Sequence, residues 1–155
     1  MEYNLEFSER LIKAADALLL NSLSKEETSR TVLYFSCLSC EISMKAVLES
    51  AGYSKSKLRG FSHQLDKLLD EISSCSHIDP ESRGCSIRAK VVEKGFANGT
   101  VGALLTHELD DVSTYPNQVR YGEVVKHYPP ETMLKCAKVV HGWCRENQGK
   151  LRRCP

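Results

Sequence analysis

The sequence predicts an all-α fold, an up-and-down antiparallel bundle of four to six helices. Apolar residues recur at helical spacing along most of the chain, and capping residues and prolines divide it into successive helices. Two short candidate strands, at Tyr34-Phe35 and Val124-Val125, do not alternate apolar and polar residues over four or more positions, as a half-buried strand would. The 155 residues, with 41% hydrophobic and 26% charged residues, suit one folded domain, so we expect a single helical domain over residues 1–155.

The first two helices are predicted from caps that precede apolar stripes. Ser8 is a candidate N-cap for the first helix, which ends near Asn21. The second helix opens at a capping box formed by Ser24 and Glu27 and ends before Gly52. Its apolar residues spread over more than one face, which predicts that it lies at the centre of the bundle. The first apolar stripe comprises Leu11, Ile12, Ala15, Leu18 and Leu19.

The middle of the chain gives a loop and a third helix. Residues 52–61 have the composition of a loop, and Ser62 is a candidate cap for the helix that follows. Asp79 and Pro80 then form a further helix start, so a weaker helix is expected within 80–99. The stripe of the third helix is Leu65, Leu68, Leu69 and Ile72.

The last third contains one more stripe, an irregular stretch and a final helix. Pro116 ends the helix that the stripe predicts, and 115–130 is irregular. Pro130 opens the last helix, which runs to about Asn147, and 148–155 is expected to be a disordered basic tail. The stripe before Pro116 comprises Leu104, Leu105, Leu109 and Val112.

Charge and hydropathy set limits on the partners. The net charge of +1 gives no overall field that favours nucleic acid, and the basic tail is interpreted as solvated. The longest apolar run, 14–20, is interrupted by Asp16 and is too short to span a bilayer. The acidic start is unlike a signal peptide. We therefore expect a cytoplasmic protein with no membrane segment.

Seven cysteines are present, and two of them form a C-x-x-C motif at Cys37 and Cys40. A zinc site needs a second pair at similar spacing, and none exists. A redox pair needs the start of a helix, whereas these two lie deep inside a long helical stretch. Most of the cysteines are therefore interpreted as small apolar core residues in a reducing compartment, and no metal or cofactor is expected.

Three motifs carry a resemblance to a known family. The second helix contains Glu41, three residues, then Lys-Ala-x-Leu from Lys45, with Gly52 after it. His63 precedes a Leu-x-x-Leu helix opening, and an Arg-Tyr-Gly-Glu string begins at Arg120. In this order the motifs resemble those of HEPN domains (higher eukaryotes and prokaryotes nucleotide-binding). Three positions depart from the family pattern, because Ser62 replaces a common glycine, Gln64 a common aspartate and Gly122 a common proline.

The resemblance implies a homodimeric bundle of four to five helices that has one of two functions. Some members bind nucleotide or RNA without cutting it, as partners of separately encoded minimal nucleotidyltransferases. Others are metal-independent endoribonucleases, including toxins, that carry an Arg and a His with four to six residues between them. The implied ligand-binding candidates are Glu41, Lys45, His63, Arg120 and Tyr121.

Arg120 and His127 are the candidate catalytic pair of the ribonuclease alternative. Arginine offers a fixed charged fork for the scissile phosphate, and histidine serves as general acid and base. Against this, an aromatic residue, Tyr121, follows the arginine, and Gly122 interrupts the segment. The interpretation we prefer is a non-catalytic nucleotide- or RNA-binding module. The endoribonuclease and a helical scaffold for protein partners are the alternatives.

Two of the candidate positions also have ordinary structural explanations. Glu41 and Lys45 are spaced as a common i, i+4 ion pair. His63, in the first turn of a helix, suits a hydrogen bond to a nearby loop carbonyl. If the second helix is central, however, the Glu41–Lys45 pair is buried, and burial makes it a better candidate for a ligand pocket.

Overall fold

The computed structural model describes residues 1–21, 25–79, 86–92, 99–106 and 129–154. Within them the chain is predominantly helical, which confirms the predicted all-α class. The six described α-helices are α1 Leu5–Leu20, α2 Lys25–Ser50, α3 Lys55–Gly60, α4 Leu65–Ser73, α5 Val101–Thr106 and α6 Pro130–Asn147. A 3-10 turn spans Ile87–Ala89, and two short strands are β1 Ser76–His77 and β2 Leu151–Arg152.

The long helix α2 is the central element, as its wide apolar arc predicts. It packs mainly against α1 and α6 and also against α4. Every residue from Glu41 to Leu48 is buried, so this half of α2 has no solvent-facing side. An α-helix needs neighbours on several sides to be buried in this way.

By length and composition alone, α2 could also cross a membrane, and it is the only helix in the described parts of the chain that meets this test. The central helix of a soluble bundle passes the same test. Some 72% of the apolar window in α2 is buried against the other helices. The apolar character of α2 is therefore accounted for by its packing inside the bundle.

The helix α1 starts one turn earlier than predicted. Asn4 is its N-cap, and the Asn4 side-chain oxygen accepts a hydrogen bond from the backbone N–H of Glu6 at 2.7 Å. The predicted cap, Ser8, is instead fully buried between α1 and α2. Asparagine and serine cap helices about equally well. Asn4 is therefore the cap because Ser8 is buried in the packing between α1 and α2.

The loop predicted over 52–61 contains the short helix α3. Ser54 caps it by accepting a hydrogen bond from the backbone N–H of Lys57 at 3.2 Å, and Leu58 is its buried anchor. Ser62 is the predicted N-cap of the next helix. That helix begins at Leu65, so Ser62 lies too far before it to be its cap. The prediction at Ser62 was wrong, because this residue is part of the turn that joins α3 to α4.

The weak helix expected within 80–99 does not form in the part of that range that the structure describes. Residues 86–92 form only the 3-10 turn, and Val91 pairs with Thr100 in an isolated antiparallel bridge. The predicted helix starts at Ser24 and Pro80, the second part of the stripe before Pro116, and the irregular stretch up to residue 128 lie outside the described residues. The final helix α6 has the predicted bounds.

The expected disordered tail is ordered over 148–154. Leu151 is 2% exposed, and β2 pairs antiparallel with β1 so that Ser76 lies opposite Arg152. The backbone N–H of Arg153 donates to the carbonyl oxygen of Ala51 at 3.2 Å, which satisfies a carbonyl just beyond the end of α2. The composition of this segment predicts a solvated tail. The segment is nevertheless held in place by the buried Leu151 and by the hydrogen bond from Arg153 to Ala51.

Cysteines in the core occupy the roles that the sequence predicts for them. Cys37 and Cys40 on α2 and Cys136 and Cys144 on α6 are all buried. Burial away from charge-stabilising groups raises the pKa of the Cys37 and Cys144 thiols well above the usual range. Cys40 also has a raised pKa, first because of its hydrogen bond with Cys136 and then because of burial. Protonated, enclosed thiols of this kind behave as apolar side chains.

Candidate functional site

Three of the five predicted ligand-binding residues lie together in one hydrogen-bonded cluster. Lys45 Nζ donates to Glu41 Oε1 at 2.8 Å, and Glu41 Oε2 lies 2.9 Å from His63 Nδ1. The carboxylate of Glu41 therefore uses one oxygen for each partner. We call Glu41, Lys45 and His63 the charged cluster.

The ion pair in this cluster is not an ordinary surface pair. The side chains of Lys45 and Glu41 are only 5% and 6% exposed, although both are charged residues. Removing two charges from water costs several kcal/mol for each ion, and only close, well-bonded geometry offsets that cost. Lys45 has further compensation, since its ammonium also donates to the carbonyl oxygen of Ser62 at 2.7 Å and lies 5.3 Å from the centre of the Tyr3 ring.

The turn between α3 and α4 brings His63 to the central helix. The helix α3 ends at Gly60, and the Ser62 N–H donates to the Arg59 carbonyl at 2.9 Å. Ser62 then has φ +50°, a left-handed conformation that favours glycine. The turn leaves the Ser62 carbonyl facing Lys45 and the His63 ring facing Glu41.

Glu41 sets the orientation and tautomer of His63. An ionised carboxylate only accepts hydrogen bonds, so Nδ1 of His63 must carry the proton in the 2.9 Å contact. In a neutral ring the lone pair then lies on Nε2, and in a protonated ring Nε2 is a second donor. The sequence predicts a nearby loop carbonyl as the partner of His63, and the structure shows a carboxylate 22 residues away as a partner of its Nδ1.

His63 is the member of the cluster that reaches solvent. Its side chain is 46% exposed, whereas Glu41 and Lys45 are enclosed. The arrangement can therefore present one oriented imidazole to a ligand, with a buried acid behind it and a buried ammonium beside that acid. The other predicted site residues, Arg120, Tyr121 and His127, lie outside the described residues.

A second polar group, which sequence reasoning missed, lies buried where α1, α2 and α6 meet. The Ser8 hydroxyl is 2.7 Å from the hydroxyl of Ser39 and 2.6 Å from that of Ser43, and Ser43 Oγ lies 3.4 Å from His141 Nδ1. The three serines are fully buried. The available signal was the i, i+4 spacing of Ser39 and Ser43, which places two small polar side chains on one face of α2. We call these four residues the serine seam.

His141 is incompletely satisfied within this seam. It is 8% exposed, and its Nε2 has no hydrogen-bond partner among the described residues. Burial lowers the pKa of His141, and Arg145 lowers it further, while Glu9 acts in the opposite direction. The neutral ring is therefore the form that the folded bundle favours.

Metal-ligand geometry and comparison with known proteins add no further assignment. Among the described residues, no three histidine, cysteine, aspartate or glutamate side chains are arranged to hold a metal ion. Comparisons of the chain with protein families, with characterised proteins and with solved structures find no match.

Proposed function

We propose that this chain is a HEPN-like module that binds a nucleotide or RNA without cleaving it, and that His63 contacts the ligand. The observation that carries the proposal is the charged cluster, in which a buried Glu41–Lys45 pair supports a half-exposed histidine. The residues of this cluster are those that the resemblance assigns to ligand binding. The proposal rests on that agreement and on the physical arguments that follow.

The energetics of the cluster favour a role beyond stability. Replacing a buried ion pair with apolar residues of similar size is often neutral or stabilising, so a bundle does not need such a pair to fold. Titratable groups that are desolvated beside a specific charge partner occur more often at functional sites. Here the pair lies directly behind a histidine that solvent can reach.

The chemistry of the exposed ring suits a nucleotide or RNA. When His63 is protonated, the cluster contains two cations and one anion and attracts a phosphate, to which Nε2 can donate. When His63 is neutral, Nε2 accepts a hydrogen bond from a base or a ribose hydroxyl. The exposed cationic side chain of Lys67 lies four residues after His63 in the sequence, whereas Arg59, four residues before it, is paired with the carboxylate of Glu2.

Fluorescence anisotropy with a labelled mixed RNA pool and with labelled ATP tests the binding directly. We expect saturable binding by the wild type and a loss of about tenfold or more in affinity for His63→Ala, because a charge-assisted hydrogen bond contributes ~1.5–3 kcal/mol. Arg120→Ala should lower the affinity similarly if Arg120 contacts the same ligand. The control is His77→Ala, which removes a partly buried histidine in β1, beyond the C-terminal end of α4. Absence of binding, or equal affinities for the wild type and His63→Ala, would reject the proposal.

An RNA cleavage assay separates this function from the ribonuclease alternative. Purified wild type is incubated with the mixed RNA pool in EDTA, because the alternative mechanism needs no metal. We expect intact RNA. Cleavage that leaves cyclic-phosphate ends and is abolished by both Arg120→Ala and His127→Ala would establish the ribonuclease instead, since residues acting as a unit lose nearly everything when one is removed.

The proposed partners can be tested in the same preparation. The resemblance implies a homodimer and a separately encoded minimal nucleotidyltransferase, and we include both in the proposal. Sedimentation should give twice the chain mass of 17.4 kDa at micromolar concentration. Co-expression with a neighbouring nucleotidyltransferase gene, where the genome has one, should yield a complex. A strictly monomeric chain would exclude the dimer.

A further inference from the structure

A separate cleft lies at the C-terminal end of α4, where it meets the 3-10 turn, α6 and β2. Its volume is about 240 Å³. Buried side chains of Ile72, Ile87 and Trp143 contribute an apolar floor, and Ser73, Cys75 and His77 contribute polar atoms to the rim. His63 precedes the first residue of α4, so the cleft is separated from the charged cluster by the length of that helix, ~13 Å.

The hydrogen bonds around His77 fix the orientation of its ring. The Asn147 side-chain amide donates from Nδ2 to the backbone carbonyl of Trp143 at 2.9 Å, so its Oδ1 faces the other way. His77 Nε2 lies 3.2 Å from that Oδ1 and must donate to it. A neutral imidazole then has its lone pair on Nδ1, and within the described part of the chain Nδ1 makes no hydrogen bond.

The lining also defines what the cleft would accept. None of the described residues that line it is charged, so no group there compensates a charged ligand. The apolar floor favours a hydrocarbon or aromatic body, and the Nδ1 lone pair of His77 favours a hydroxyl or N–H donor at one end. A few convergent polar groups above an apolar floor are the usual composition of small-ligand sites, and this volume lies at or below their lower limit.

We propose that this cleft binds a small uncharged molecule with an apolar ring and one hydroxyl or N–H group that donates to Nδ1 of His77. Phenol has this chemistry. Anisole has nearly the same shape but has no donor, so the pair isolates the hydrogen bond. This site is independent of the charged cluster and of nucleotide or RNA binding.

Trp143 provides the measurement, because it is the only tryptophan of the chain and its side chain lines the cleft. We expect phenol to change the tryptophan emission of the full chain saturably, and anisole to bind about fivefold more weakly, the factor expected for one neutral hydrogen bond. His77→Phe should remove the preference for phenol while it keeps a ring at the rim. Asn147→Ala, which removes the group that orients His77, should reduce that preference as a second, independent variant.

A blocking variant separates the cleft from non-specific binding. Ser73 is exposed on the last turn of α4, and Ser73→Leu should place an apolar side chain over the opening and abolish the saturable change. Circular dichroism confirms that each variant is folded. The proposal is overturned if the wild type shows no saturation, if phenol and anisole bind equally, or if Ser73→Leu binds phenol as the wild type does.

Discussion

Lys45 donates a hydrogen bond from Nζ to the backbone carbonyl oxygen of Ser62 at 2.7 Å, across 17 residues of sequence. Ser62 has φ +50°, and it is the only described residue other than glycine with a positive φ. A buried ammonium on the central helix thus holds a strained turn in place, and the next residue of that turn, His63, contacts Glu41. The geometry of the turn and that of the charged cluster therefore depend on each other.

The strain at Ser62 leads to the first prediction. The left-handed region costs a residue with a Cβ ~1–2 kcal/mol, and glycine loses ~0.5–1 kcal/mol more backbone entropy on folding. Ser62→Gly should therefore raise the free energy of unfolding by about 0.5–1 kcal/mol. Urea denaturation followed by circular dichroism measures the change.

Two matched substitutions at the same exposed position complete this test. Ser62→Ala keeps the strain and should leave the stability nearly unchanged, whereas the β-branched Ser62→Val should lower it by ~1–2 kcal/mol. If Ser62→Gly is less stable than Ser62→Ala, the left-handed turn is not the conformation that this segment adopts in solution.

The second prediction concerns the buried ion pair. Lys45→Met leaves the Glu41 carboxylate enclosed without its cation, so we expect a loss of ~3–5 kcal/mol in the free energy of unfolding. The double variant Glu41→Gln with Lys45→Met removes both charges and should recover a large part of that loss. A double-mutant cycle from urea denaturation gives the coupling energy.

An exposed pair in the same protein is the control for this cycle. Lys13 and Glu9 on α1 have the same i, i+4 spacing and a similar N–O distance of 2.9 Å, but the side chain of Lys13 is 72% exposed. Lys13→Met should leave the stability within error of the wild type. Equal effects at the two sites would show that the Lys45–Glu41 pair is solvated.

Local sequence patterns predicted the long elements and the spacing of the ion pair. Apolar residues at helical spacing located α2 and α4, Pro130 located the start of α6, and the i, i+4 spacing paired Glu41 with Lys45. These rules depend on neighbours within one helical turn, where the geometry follows from the chain itself. The burial of the pair followed only from the prediction that α2 is central.

The features that sequence reasoning missed depend on distant contacts. His63 bonds to a carboxylate 22 residues away, and Ser8 bonds to serines more than 30 residues away. The two-residue strands β1 and β2 are too short to show a period of two, and the buried Leu151 and the hydrogen bond from Arg153 to Ala51 hold the tail against the bundle. Each of these features depends on tertiary packing, so local sequence patterns could not predict it.

The third prediction concerns the thiols. Cys37, Cys40 and Cys144 are buried with raised pKa values, whereas Cys154 is exposed near the C-terminus. In the native protein, iodoacetamide should label Cys154 quickly and the three buried thiols on the order of a thousandfold more slowly, since these react only on opening. Peptide mapping by mass spectrometry measures each rate. Rapid native labelling of Cys37 and Cys40 would mean that the C-x-x-C motif is reactive and is not part of the core.

The last prediction is the pH dependence that the serine seam confers. Burial lowers the pKa of His141 below its ordinary value of 6.5. Between pH 6.5 and this lowered pKa, the unfolded chain therefore binds a proton at His141 and the folded chain does not. The contribution of His141 to the free energy of unfolding is therefore complete above about pH 6.5. It is lost as the pH falls through the lowered pKa of the folded state. The groups that act on His141 are Glu9 from α1, Arg145 from its own helix and the uncharged Ser43 from α2.

His141→Phe isolates this effect, because it keeps a ring of similar size and removes the titrating group. Ser43 keeps a hydrogen-bond partner in the variant, since its hydroxyl also lies 2.6 Å from that of Ser8. The free energy of unfolding, measured by urea denaturation from pH 7.5 down to pH 5, should fall less steeply for His141→Phe than for the wild type. The carboxylates with lowered pKa values, Glu9, Glu49 and Glu71, lose their contributions only as the pH falls below about 4.5, so they do not interfere in this range. Parallel curves for the two proteins would show that His141 is hydrated or paired in solution, and that the seam has room for a partner to its Nε2.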